Sequence, residues 1–255
     1  MTKANDTPVL HPPIVDPQWR GLCTVGGMAA LVAAIVFRRW LGAELGLLTA
    51  MGLFPSAPQT GAVVDWFNYL QAHSVLGVIS LNGLDLVNYA LVGLIFLGIF
   101  AALRKSAPAA ATLALTMTVA GVAVYFASNQ AFGMLALSRQ YASAATEAQR
   151  SQLLAAGQTL LALNNTGVFG TGVFWAFNLV TVAGLIYSVV MLRGDVFSKL
   201  TAWIGLIANV LGLGYFATLA FAPSLVAIPV SASAPFLLVW YLMAGVRLIR
   251  LGRSV

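Results

Sequence analysis

Apolar residues in this chain come in long runs, and the few charges, apart from Asp85 and Arg247, stand between the runs rather than inside them. A helix needs roughly 20 mainly apolar residues to cross ~30 Å of hydrocarbon. Six runs meet that length, at about residues 21–37, 83–103, 109–127, 170–192, 200–221 and 232–249. The last is placed after Pro229, because prolines disfavour a helix interior. Membrane strands would alternate polar and apolar positions, which these runs do not. The pattern therefore predicts an all-α fold, a polytopic transmembrane bundle of six helices forming one domain over residues 20–255. Residues 1–19, with four prolines, read as a flexible tail.

The intervals between runs are unequal. Two connections are short, whereas residues 40–82 and 139–165 are long, and both carry helical patterns of their own. The first contains an aromatic stretch from Val63 to Ser80. In the second, Thr146 and Gln149 have the spacing of a capping box, and Leu153, Leu154, Leu160 and Leu161 recur on one face. A helix over 147–163 is expected there.

Composition narrows the class. The chain is 60% hydrophobic and 8% charged, with a mean hydropathy of +0.90, against about 25% charged in soluble domains. Charge placement adds orientation. Nine of the 13 Lys and Arg fall on the side of the tail, the 104–105 turn, the 193–199 turn and the C-terminus, and four fall on the other. The positive-inside rule then makes both termini cytoplasmic and the two long loops external. The net charge of +6 reads as this topogenic signal and as attraction to anionic lipid, not as nucleic-acid binding.

From Tyr125 onward the chain has further landmarks: Ser128-Asn129, Gln140-Tyr141-Ala142, Ala148-Gln149-Arg150, Leu153-Leu154-Ala155-Ala156-Gly157, and a turn from Met191-Leu192-Arg193 to Phe197-Ser198-Lys199. Over about residues 81–255 the sequence resembles a bacterial six-helix integral membrane family of unknown function, domain-of-unknown-function family 4386. The resemblance implies a multi-pass protein of the bacterial cytoplasmic membrane and implies no activity.

Candidate chemistry is sparse. With two His and one Cys, no metal constellation can be written, and no cofactor motif occurs. His73 beside Ser74 lacks the turn and the orienting group a hydrolase needs. Asp85 is the one acid inside a run. A rise of ~1.5 Å per residue puts it about 28 Å above Arg104, with Asn129, Trp175 and Asn178 at similar heights. Asn82, Asp85 and Asn88 share a helix face at i, i+3, i+6. A carboxylate at this depth needs a partner, and Arg38 or Arg39 is at the right level. Two readings follow: a structural ion pair of Arg38, Arg39 and Asp85, or a ligand site of Asp85, Asn88, Asn129, Trp175 and Asn178. Gly205, Asn209 and Gly212 form a helix-packing face, with Asn209 expected to hydrogen-bond across the contact.

These features favour a non-catalytic sensor, ligand-binding or accessory module using a polar cavity in the outer half of the bundle. Its partners would be membrane lipid and a hydrophobic or amphiphilic small molecule, with room for a protein partner or a homo-oligomer. A small-solute or ion transporter is the alternative, and an intramembrane lipid-modifying enzyme is the third reading.

Overall fold

The computed structural model describes residues 15–40, 55–58, 61–163 and 170–253, without the side chains of residues 36–40. The described residues are helical, with no strand. Helix α1 spans Arg20–Trp40; α2, Val63–Ala72; α3, Ser74–Ser80; α4, Leu84–Leu103; and α5, Pro108–Ser128. They are followed by α6, Ala131–Ser143; α7, Glu147–Leu163; α8, Gly172–Arg193; α9, Lys199–Phe221; and α10, Ala227–Arg253. Five described stretches are long and apolar enough to cross a membrane: Leu84–Leu103, Pro108–Ser143, Gly172–Arg193, Lys199–Phe221 and Pro223–Arg253.

Local chemistry explains the helix ends. Pro108 opens α5 at a position where its missing N–H costs nothing. Thr171 Oγ1 accepts from Phe174 N at the start of α8 (3.2 Å), and Ser198 Oγ accepts from Thr201 N at the start of α9 (3.1 Å). Lys199 Nζ donates to the carbonyls of Leu192 and Gly194, satisfying the orphan acceptors at the end of α8.

Helix α10 starts at Ala227, five residues before the position expected from sequence. Pro229 falls in its first turn, where no intrahelical N–H bond is required, and Pro235 is carried inside the helix. The aromatic stretch 63–80 is two helices, α2 and α3, broken at His73, whose ψ is 60°. Helix α6 is separated from α5 by a break at Asn129, whose ψ of 121° is extended.

The six long helices pack as a ring in the order α1, α10, α9, α8, α5, α4 and back to α1; α4 also touches α8 and α10. Consecutive glycines let α1 serve two neighbours. A Cβ on Gly26 would lie 2.8 Å from Gly98 Cα and Leu94 O on α4, and one on Gly27 would lie 2.8 Å from Gly245 O on α10. Across the α8–α9 contact, Gly184 leaves room for the Asn209 amide, and a Cβ on Gly212 would lie 3.2 Å from Thr181. Gly205 faces both Ser188 and Trp240. Among the described residues, no hydrogen bond from Asn209 crosses this seam. Its Nδ2 donates to Gly205 O of its own helix (2.7 Å), so one amide N–H is satisfied without a partner helix.

At the end of the ring carrying Arg104, Arg193 and Arg247, residues 15–19 are docked rather than free. Val15 is buried, Pro17–Trp19 form a 3-10 turn, and the Asp16 carboxylate takes ion pairs from both Arg104 and Lys105. The Arg104 guanidinium lies 4.2 Å from the centre of the Trp19 ring. These cations, Lys105 first through its hydrogen bond, hold the Asp16 carboxyl below the ordinary aspartate range.

The opposite end carries a cap of α2, α3, α6 and α7 around Phe67, Leu70, Leu81 and Met134. Gln71 Nε2 ties α2 to α6 by donating to Ser138 O (2.9 Å). The capping box forms: Gln149 N donates to Thr146 Oγ1 (3.2 Å), and Gln149 Oε1 accepts from Thr146 N (3.4 Å). Leu154, Leu160 and Leu161 turn inward onto the cap core. Gly157 permits the approach, since a Cβ there would lie 2.6 Å from the Phe67 ring.

Candidate functional site

The site begins at the turn between α3 and α4. Gly83 N donates to Val78 O (2.8 Å) and Asn82 N to Ile79 O (3.1 Å), the bond pair of a Schellman ending. Asn82 takes the left-handed conformation this requires, at φ +63°, which Asn tolerates better than most residues. The chain then enters α4 with Asp85 in its first turn.

The break between α5 and α6 lies against this turn. Asn129 Nδ2 donates to Asn82 O (2.9 Å) and to the Tyr125 hydroxyl (3.3 Å), and its Oδ1 accepts from Ala131 N (3.1 Å). The Tyr125 hydroxyl in turn donates to Asp85 Oδ2 (3.2 Å). The Tyr125 ring stacks on Tyr89, one turn below Asp85, with centroids 3.7 Å apart and planes 6° from parallel. A turn carbonyl, an amide, a phenol and a carboxylate are thereby aligned, and the tyrosine pair fixes their height.

Below them opens a cavity of about 290 Å³ where α4, α5, α8, α9 and α10 converge. Asp85, Asn88, Tyr89 and Tyr125 form its polar side. Val173, Phe174 and Phe177 from α8, Tyr215 from α9, and Val230, Ala234, Leu237 and Leu238 from α10 form its mainly apolar side, which also includes Ser233, whose hydroxyl donates to Val230 O (2.8 Å). Asn88 Oδ1 is buried with no hydrogen-bond partner. An acceptor left unsatisfied in an apolar surround carries a free-energy cost that a bound donor removes.

The ring's interior is closed on the other side. Phe96, two turns below Tyr89, meets Tyr187 edge-on at 5.3 Å and Trp240 at 5.9 Å. All three are buried. Trp240 is one turn below Leu237, so these rings make a floor beneath the cavity.

Of the residues expected to bind a ligand, Asp85 and Asn88 line the cavity. Asn129 stands behind them, holding Tyr125. Trp175 does not come in: it is 51% exposed. Asn178 is half-buried and outside the lining. Helix α8 turns Val173, Phe174 and Phe177 inward, so Trp175 takes the opposite face. The side chains of Arg38 and Arg39 lie outside the described residues, and with them the expected ion pair. The contact of Gly26 with Gly98 sets α1 antiparallel to α4 and brings the backbone of Arg38 and Arg39 level with Asp85. Among the described residues, Asp85 is partnered by Tyr125 and by no cation.

No protein-family model matches this chain, and no curated protein or solved structure is significantly similar to it. The geometry alone must carry the functional reading. Tyr89, Tyr125, Tyr215 and the α10 residues were missed by sequence reasoning. One signal was available for two of them: Tyr125 and Asn129 are four residues apart, like Asp85 and Tyr89, so each pair shares a helix face.

Proposed function

We propose that this protein is a non-catalytic ligand-binding module of a membrane, holding a small amphiphile in the cavity between Asp85 and Leu237. The observation that carries the reading is the combination of an apolar pocket with a few convergent polar groups and a closed floor. In this reading α1 is the sixth span, the end bearing Arg104, Arg193 and Arg247 is cytoplasmic, and the cap is external. The membrane is the bacterial cytoplasmic membrane, as in the six-helix family the sequence resembles. The floor favours binding over transport, because Phe96, Tyr187 and Trp240 would have to separate to open a path through the ring.

Native mass spectrometry of the chain taken from membranes tests this. The expected result is a retained small hydrophobe that Ala234→Trp, which fills the cavity, eliminates at an unchanged unfolding temperature. Bare protein in both forms would refute it. Substrate flux in proteoliposomes, abolished by Ala234→Trp, would replace it with the transporter reading.

A further inference from the structure

We infer that the ligand of this cavity presents a cation, an alkylammonium or arylalkylammonium group on a compact apolar body. The inference rests on the cavity being a binding site and adds the charge and donor character of what it binds. Three observations agree.

Two acceptors with unused capacity, the Asp85 carboxylate and Asn88 Oδ1, line the cavity together with the hydroxyl-bearing Tyr89, Tyr215 and Ser233. A carboxylate has room for about four hydrogen bonds. Asp85 receives one, from Tyr125, whose proton is thereby committed. Asn129 is spent as well, with both its donated bonds on Asn82 and Tyr125. Asn88 Oδ1 is a second acceptor, buried and unpartnered. An ammonium supplies three donors and no acceptor, which fits Asp85 and Asn88 Oδ1, whereas a carboxylate or phosphate head would be set beside the Asp85 carboxylate.

The charge balance has the same sign. Among the described residues, which leave out the side chains of Arg38 and Arg39, Asp85 has no cation, and Arg104, Arg193, Lys199 and Arg247 stand at the far end of the ring, beyond the aromatic floor. A buried carboxylate without a counter-charge is costly, and a bound cation offsets that cost.

The walls are aromatic where a cation would sit. Phe177 meets Tyr215 edge-on at 5.4 Å, and Phe174 lies beside them, so ring faces and edges surround the space below Asp85. Such faces attract quaternary and primary ammonium groups. Further in, Leu237, Leu238 and Val230 offer only hydrocarbon. The volume of about 290 Å³ is at the small end of ligand pockets, so the body is that of one ring or a short chain, not a diacyl lipid.

The test uses three probes of one shape: 4-phenylbutylammonium, 4-phenylbutanol and 4-phenylbutanoate, titrated into the full chain in nanodiscs of zwitterionic lipid. The expected order is ammonium tightest, by tenfold or more over the alcohol, with the carboxylate weakest. Asp85→Asn should abolish the tenfold preference while leaving the affinity for the alcohol within twofold. Should Asp85→Asn fail to fold, the wild-type charge series and Asn88→Leu, expected to weaken the ammonium more than the alcohol, decide alone. Equal binding of ammonium and alcohol, both blocked by Ala234→Trp, would overturn the cation inference and leave the cavity reading standing. Binding of all three probes unaffected by Ala234→Trp would overturn both.

Discussion

The two halves of the ring interior are built from the same residue types and reach opposite results. In the half nearest Arg104 and Arg247, Phe96 meets Tyr187 and Trp240 edge to face, and all three rings are buried. Beside them, Gly26 and Gly27 bring α1 onto its neighbours at backbone distance. In the half beneath the cap, Phe174, Phe177, Tyr89 and Tyr215 stand around a space of about 290 Å³ instead of filling it. Interiors are close-packed by default, and an unfilled volume forfeits dispersion contacts. The closed half thus supplies rigidity, and the open half uses it to hold an acid, an unpartnered amide oxygen and a pocket in place.

The largest effect that could break this comparison is at the floor. Trp240→Ala should cost about 3–5 kcal/mol, the range for deleting a fully packed aromatic. Phe177→Ala, on the cavity wall, should cost less than half of that, because its ring already lacks neighbours on one side. Thermal unfolding of the two variants in one detergent checks the asymmetry; equal losses would mean that the halves are packed alike. Next in size is Gly26→Leu, which forces backbone away from backbone between α1 and α4 and should cost about 1–3 kcal/mol. A cysteine pair across that contact should then crosslink more slowly than in the parent.

The same contrast of closed and open parts shows where the sequence was informative. Helix α7 was legible to the residue, because a capping box is a local chemical event: Thr146 and Gln149 satisfy each other's N–H groups regardless of the rest of the fold. The height of the polar cluster was legible too, since helical rise is fixed. Rotation about the helix axis was not. Trp175 has the right depth and turns away from the cavity, and Asn178 lies outside its lining, because packing of α8 against α5 and α9 decides which face turns inward. The start of α10 was misplaced for a related reason. A proline marks the end of a helix only when it lies past the first turn, and the pattern of residues does not say which turn Pro229 occupies. Tyr125 was overlooked because its role depends on Asp85, from another helix, as well as on Asn129 one turn along its own.

Smaller perturbations sharpen the comparison at the two ends. Thr146→Ala should cost about 1 kcal/mol through the lost cap, with faster amide exchange confined to the first turns of α7 and none in the ring. At the other end, the Asp16 clasp should respond to acid. Its carboxyl sits below the ordinary aspartate value of 3.8, so the stabilisation is complete above that value and is lost as pH falls through the lower folded-state value. The fluorescence of Trp19, beneath Arg104, should report the release in that window, and Asp16→Asn should remove the transition while leaving ligand content unchanged.

The central claim is that the half beneath the cap is open because it is occupied in the membrane. An experimental density map of the chain extracted with its native lipids tests this most directly. The account predicts a compact density between Asp85, Asn88, Phe177 and Leu237, its polar end within hydrogen-bond distance of the Asp85 carboxylate, above an intact floor of Phe96, Tyr187 and Trp240. A collapsed space filled by its own side chains, or an Asp85 turned out to lipid, would contradict it.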